Sequence, residues 1–307
     1  MEIRNRNLIL STIVLGMITT VIIFVSVYIE RPKSKPLSVS FLDIGQGDSI
    51  FIEAPNGAQM IIDGGPSNGE ILTEIQNIMP FFDYSVDVIL ATHADADHIG
   101  GLPSILSRYD TSYVIQNGQK GSTQLFQQLQ SDVEKSIEKN NTKSFIIKRG
   151  DVIVLDKQNG VFLFALHPPG VHFAKDTNDN SVVLQLVYGE SSVILTGDAP
   201  AGVEKMLVYK DGTYLKSDIL KAGHHGSKTS SSQPFIDAVS APISIISAGE
   251  NNRYGHPHQE VVQRLSKISE ILKTYEDGTM QFQSFGREFI KKKNKILNPK
   301  YEDEDEF

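Results

Sequence analysis

The sequence predicts an α/β protein built as an αββα sandwich, two mixed sheets face to face with helices outside, preceded by one membrane-spanning helix. Three observations carry this expectation. Short apolar strand signals form a meander at the start of each half of the chain and then alternate with helical spacings, the pattern of mixed sheets covered by helices. Hydrophobic residues make up 40% of the 307 residues and charged residues 21%, so a sizeable core can form and wholesale disorder is excluded. Residues Leu8 to Ile29 contain no charge at all.

A short tail, residues 1–7, carries Arg4 and Arg6. The uncharged stretch 8–29 follows; as a helix it spans about 33 Å, enough for the hydrocarbon core of a bilayer. A cleaved signal peptide is the rival reading. Its apolar region is usually about 7–15 residues long, and no small-x-small cleavage site lies near Ser26–Lys35. Arg31, Lys33 and Lys35 after the stretch nearly balance the arginines before it. Because the short tail is easily retained inside, a single-pass protein of the cell membrane is expected, with its globular part extracytoplasmic. Residues 30–36 read as a basic, proline-containing linker.

The globular part is expected over residues 37–290. Strand signals cover Leu37–Asp43, Ser49–Glu53 and Gln59–Asp63, the last stopped by Asp63-Gly64-Gly65-Pro66. Ile71, Leu72, Ile75 and Ile78 give helical spacing to Glu70–Met79. Val86–Ala91 reads as a buried strand, Gly101–Tyr109 as a helix and Ser122–Glu138 as a surface helix. The second half repeats the alternation. Its strands are Phe145–Ile147, Val152–Leu155, Val161–Leu166, Val182–Tyr188, Ser192–Leu195, Asp218–Lys221 and Ile243–Ile246. Its helices are Ala201–Tyr209, Pro234–Val239 and His258–Ile268, the last with Pro257 at its start. Residues 291–307, a basic run followed by an acidic one, are expected to be a disordered, solvated tail.

Composition also excludes chemistry. The absence of cysteine rules out disulfides, thiolate zinc sites, iron–sulfur clusters and a cysteine nucleophile. A net charge of −8 argues against a general electrostatic grip on nucleic acid, so contact with DNA would need a metal or a local basic patch. Lys120, Lys221, Lys228 and Arg253 are candidates for such a rim.

All eight histidines lie between His93 and His258. The densest cluster, Thr92-His93-Ala94-Asp95-Ala96-Asp97-His98-Ile99-Gly100-Gly101, follows a buried strand directly. In an extended loop, His93, Asp95 and Asp97 would point the same way. Four nitrogen and oxygen ligands in six residues is metal-site spacing. Further ligands are expected from later strand ends: Asp198 after Val193–Leu195, and His224 with His225 after Asp218–Lys221. Asp63 is expected to orient a ligand histidine from behind. Asn251, Arg253, Tyr254 and His256 form a polar group before the last helix, either a helix-entry motif or, through His256, a proton donor to a leaving oxygen.

These motifs resemble the metallo-β-lactamase superfamily. His93-x-Asp95-x-Asp97-His98 is similar to its HxHxDH motif, with Asp in place of the second His. More narrowly, the chain resembles the C-terminal metallo-β-lactamase-like domain of the ComEC family of DNA-uptake channels, from about residue 38 to 290. The matching stretches are Phe41-Leu42-Asp43-Ile44-Gly45-Gln46-Gly47-Asp48-Ser49, His93–Gly101, Asn178-Asp179-Asn180-Ser181, Leu195-Thr196-Gly197-Asp198-Ala199, Lys221–Ser227 and Tyr254-Gly255-His256-Pro257. Two departures stand out. ComEC proteins have many membrane helices where this chain has one, and the third histidine of many superfamily sites is matched only by Asn178-Asp179-Asn180-Ser181, with His167 and His172 as nearby alternatives.

The resemblance implies a metallohydrolase with two divalent ions, zinc or manganese. His93 and Asp95 would hold one ion. Asp97, His98 and His224 would hold the other, with Asp198 between them. His225 is the alternative to His224, and Asn178 is a further metal or substrate ligand. Asp97 and His256 are the expected catalytic residues. The substrate implied is a phosphodiester, related to DNA uptake or processing. Hydrolysis of a carboxylic ester, thioester or lactam, and binding of DNA or another partner without turnover, are the competing readings.

Overall fold

The computed structural model describes residues 35–170 and 174–292. The expected membrane helix, His172 and the tail beyond Lys292 lie outside the described residues. Among the described residues no helix is long and apolar enough to cross a membrane.

The domain has four layers. The first sheet runs in the order β15 (Ile290–Lys291), β14 (Met280–Ser284), β1 (Leu37–Phe41), β2 (Ile50–Glu53), β3 (Gln59–Ile62), β4 (Ser85–Ala91), β5 (Asp110–Gln116) and β6 (Lys143–Ile146). The second runs β13 (Glu270–Lys273), β12 (Ile243–Ile246), β11 (Ile219–Lys221), β10 (Ser191–Leu195), β9 (Val183–Tyr188), β8 (Val161–His167) and β7 (Val152–Asp156). Each sheet is antiparallel in one half and parallel in the other. The change comes at β3–β4 in the first sheet and at β10–β11 in the second.

Alternation explains which faces meet. Leu37, Val39 and Phe41 of β1, Leu184 and Leu186 of β9, and Val193 and Leu195 of β10 point into one core between the sheets. The opposite faces of the parallel strands are apolar too, as sheets covered on both sides require. Ile89 and Ala91 of β4 pack under helices Glu70–Ile78, Leu102–Arg108 and Gln124–Asn140. Ile194 of β10 and Leu220 of β11 pack under Ala201–Asp211, Gln233–Val239 and Gln259–Leu265.

The parallel strands β3, β4, β10, β11 and β12 all end on one edge of the sandwich, where ligands are bound in open α/β sheets. Several elements differ from the sequence expectation. β5, β13 and β14 are strands that the sequence expectation does not include. The last long helix stops at Leu265 rather than Ile268. Lys291 belongs to β15, pairing with Phe282, so the ordered domain reaches past residue 290.

Candidate metal centre

The loop after β4 is not extended throughout, as the alternation argument assumed. Asp95 is the N-cap of a one-turn helix, Ala96–Ile99, so Asp97 lies in helical backbone. That turn swings His98 under the sheet, where it is fully buried, while Asp97 remains partly exposed at the rim. Glycines let the supporting loops touch. A Cβ on Gly101 would fall 2.2 Å from the carbonyl oxygen of Gly64, and one on Gly47 2.2 Å from that of Asp97.

Asp198, at the end of β10, is buried and lies amid four imidazoles. Its carboxylate is 3.9 Å from His93 Nε2, 3.2 Å from His98 Nε2, 3.6 Å from His224 Nε2 and 3.6 Å from His225 Nε2. Asp95 Oδ2 lies 3.7 Å from His93 Nε2, and Asp97 Oδ2 lies 3.3 Å from His225 Nε2. The sequence-expected ligands thus converge on one carboxylate, together with His225.

The far nitrogens are anchored. Asp63, held at φ 59° at the end of β3, accepts from the Thr92 backbone N–H at 2.8 Å and from Thr92 Oγ1 at 2.6 Å. It also accepts from His98 Nδ1 at 2.8 Å. Thr92 Oγ1, having donated to Asp63, accepts from His93 Nδ1 at 3.0 Å. His225 Nδ1 donates to the Ser247 carbonyl at 3.0 Å. These bonds fix the tautomers and leave each Nε2 bare and aimed inward.

The donor set fits a cation on this geometry. Nε2 of His93, His98 and His225 and Oδ1 of Asp198 are buried without a hydrogen-bond partner. Polar atoms in that state are costly unless something charged lies among them. Imidazole nitrogen with carboxylate oxygen suits zinc, manganese or iron. Without an ion, protons hold the cluster together. Burial alone would lower the His98 pKa, but Asp198 and Asp63 raise it well above the ordinary value. His225 is likewise opposed by burial yet raised to about 9 by Asp198, Asp48 and Asp97. Burial pushes Asp198 up, and the surrounding histidines outweigh it and hold it well below the usual carboxylate range.

The two adjacent histidines separate because both take left-handed backbone angles, φ 49° and 54°. Their rings stand at 79° to each other. His225 turns toward Asp97 and His98, whereas His224 Nδ1 lies 3.1 Å from Thr229 Oγ1 and 3.4 Å from Asn178 Nδ2. The geometry therefore groups His225, rather than His224, with Asp97 and His98. Asn178 lies behind His224 rather than among the inward nitrogens. His167 is buried below the loop, its Nδ1 2.8 Å from the Ser181 carbonyl.

Sequence reasoning passed over Asp48 as an individual residue and gave Lys221 only a place on the rim. Asp48 lies within 4.8 Å of ligand atoms of His98, Asp198 and His225. Its oxygens face the far side of the His225 ring, with Oδ1 3.1 Å from Nδ1, and Oδ2 pairs with Lys221 Nζ at 2.6 Å. It therefore orients His225 more readily than it would bind an ion. Lys221, expected as part of a basic rim, is wholly buried. Asn117 ties the halves together by donating to the carbonyls of Thr92 and Asn180.

His256 lies at the mouth, its ring stacked with Tyr254 at 5.6 Å and 5.5 Å from the ring of His224. Burial and the nearby histidines lower its pKa to about 4, so it is neutral at pH 7. Beside it opens a cleft of ≈ 420 Å³ lined by Gln46, Ser67, Asp97, Asn252, Arg253 and Tyr254.

Residues 42–250 match the family model of the metallo-beta-lactamase superfamily. The chain is 34% identical to ComE operon protein 3 of Bacillus subtilis (strain 168), over 92% of this chain and 37% of that protein. It is 30% identical to Recombination protein 2 of Haemophilus influenzae, over 79% of this chain and 28% of that protein. The chain thus spans about a third of the length of the curated relatives it matches. Among solved structures, CmlA, a diiron beta-hydroxylase from Streptomyces venezuelae, shares the fold. Its TM-score is 0.52 at 13% identity, covering 83% of this chain and 55% of that one. With the family match spanning more than half its length, the chain belongs to the metallo-β-lactamase superfamily and has its metallohydrolase fold around a cluster of aspartates and histidines.

Proposed function

We propose that the protein is a membrane-anchored, metal-dependent hydrolase of phosphodiester bonds, acting on DNA or a related polyanion. The observation that carries this is the convergence of four imidazole nitrogens, three of them bare and buried, on Asp198 beside an open cleft with Arg253 at its wall. His93, His224 and Asp95 would hold one divalent ion, and Asp97, His98 and His225 the other, with Asp198 shared. Bound ions supply Lewis acidity and a water of lowered pKa, and they offset the repulsion between a −8 chain and an anionic substrate.

The chain's own groups do the rest. Asp63, Thr92 and the Ser247 carbonyl keep the ligand rings in one tautomer and one orientation. Arg253 lies over the Tyr254 ring at 4.9 Å, and its exposed guanidinium is placed to take a phosphate oxygen at the cleft wall. His256 enters as a neutral ring; an anionic oxygen arriving beside it would raise its pKa, so that the ring takes a proton from solvent and then passes it to the leaving oxygen. Residues 8–29 are the anchor, and the hydrolase domain is extracytoplasmic. The names of the curated relatives, which include Competence protein ComA of Neisseria gonorrhoeae, support a DNA-linked role.

The test is a substrate screen on the metal-loaded full chain in detergent, with single-stranded DNA, duplex DNA, cyclic dinucleotides and nitrocefin. Metal-dependent cleavage of a phosphodiester is the expected result. Turnover of nitrocefin alone would replace the reading with lactam hydrolysis, and no turnover with retained DNA binding would make the domain a binding module. Protease added to intact cells checks topology: protection of the whole domain reverses the orientation.

A further inference from the structure

The two ends of the sandwich differ in chemistry. The end at which β3, β4 and β5 begin, opposite the metal ligands, carries exposed aromatic rings. Phe81 and Phe82, in the loop before β4, are 82% and 84% exposed and meet edge to face at 5.0 Å. Tyr84 follows at the foot of β4 and is also exposed. Phe285, 60% exposed, comes directly after Ser284, which pairs with Leu37 at the start of β1.

Local structure does not require these rings. The loop is held by polar groups: Asp83 N–H donates to the Pro80 carbonyl, and its carboxylate accepts from Gln59 and Ser85. Scattered exposed apolar residues are ordinary, but several large rings at one end mark a contact surface. Arg108 lines the shallow cavity beside Phe81 and Tyr84, and exposed Arg287 follows Phe285 by two positions.

The path of the chain identifies what meets this end. The described domain begins at Lys35, whose ammonium pairs with Glu53 at the end of β2, on this same end. The uncharged stretch ending at Ile29 lies six residues earlier, and six extended residues reach at most about 20 Å.

We propose that this end of the sandwich rests on the lipid bilayer, with Phe81, Phe82, Tyr84 and Phe285 in the headgroup region and Arg108 and Arg287 level with the phosphates. Aromatic rings with neighbouring arginines are the side chains that settle at this boundary. The inference rests on the membrane-anchor reading above. It sets the metal ligands at the opposite end of β4, which alone rises roughly 23 Å. The cleft then opens away from the bilayer.

The chain contains no tryptophan, so single reporters are clean. Phe82→Trp, Phe285→Trp and, at the opposite end, Tyr254→Trp are placed in the full chain and reconstituted into phosphatidylethanolamine–phosphatidylglycerol vesicles. Lipids brominated high on the acyl chain should quench the first two reporters several-fold more than the third. If the chain floats with the vesicles but all three reporters are quenched equally weakly, the surface is refuted and the anchor stands. Blue-shifted emission at residues 82 and 285 without lipid quenching also refutes it, and assigns the rings to a second copy of the chain. Failure to float overturns anchor and surface together.

Discussion

Replacing Lys221 by methionine keeps most of the buried stem and removes only the charge. In the native domain that ammonium, wholly buried, sits 2.6 Å from Asp48 Oδ2 and donates to the Ala222 carbonyl at 3.0 Å. Removing one partner of a buried ion pair costs about 3–5 kcal/mol, because the other charge is left uncompensated. Asp48 keeps part of its compensation through His225 at 3.1 Å, so the lower end, about 3 kcal/mol, is expected. For a domain of this size each kcal/mol moves the midpoint by about 2–4 °C, giving a fall of about 6–12 °C. The assay is thermal unfolding of Lys221→Met, Asp48→Asn and the double variant, in chelator. The double variant should lose less than the sum of the singles, since the orphaned carboxylate is gone. Metal affinity should fall as well in Lys221→Met, through His225. A midpoint within about 2 °C of the parent, with additive effects, would refute the reasoning.

Asp63→Asn should lower metal affinity about 10–100-fold, because it loosens His98 and Thr92 while leaving every inward nitrogen in place; equilibrium dialysis measures it, and unchanged affinity would remove Asp63 from the site. Asp97→Ala and His98→Ala should each lose metal together with activity, and retention of a full metal complement by Asp97→Ala would require the cluster to be reassigned. His256→Ala should keep fold and metal but lose about 10²–10⁴ in rate, most of it recovered with a p-nitrophenolate leaving group; loss of metal would make His256 structural. His225 has a folded pKa of about 9 against an ordinary 6.5. Its proton therefore stabilises the metal-free fold fully below about pH 6.5, and that contribution disappears as pH rises through about 9. Metal affinity must rise over the same window with proton release, and titration calorimetry in two buffers would refute this by a flat, proton-free profile.

The ligand loops were legible in the sequence because their chemistry is local: His93, Asp95, Asp97 and His98 sit within one loop, and Asp198 and the His224–His225 pair each follow a short apolar run. What the pattern could not give was direction. Alternation placed Asp97 beside His93, but the one-turn helix after Asp95 turned it toward His225. Likewise nothing in Gly-His-His-Gly tells which ring turns to which acid; two left-handed residues decide it. Lys221 read as a surface cation because its partner, Asp48, is 173 positions away in sequence and buried beside it only by β11 packing under the loop after β1. The αββα layering was readable from meanders and helical spacings. β5 was not, since Asp110-Thr111-Ser112-Tyr113 mixes polar and apolar residues near an edge; β14 was legible in principle, because its Met280 and Phe282 alternate with glutamines, but the signal spans only five residues.

The pairing of β14 with β1, Leu37 opposite Ser284, sets the order in which the domain can be completed. Strand β1 has one neighbour, β2, close in sequence, and waits about 240 residues for the other. Until then its outer edge offers unpaired N–H and C=O groups, a template for any extended chain nearby. Closure of so long a loop makes the last step of folding slow relative to the local pairings that precede it. A chain cut before Met280 would carry every metal ligand named above and still present that open edge, so truncation there should yield aggregation before it yields loss of chemistry.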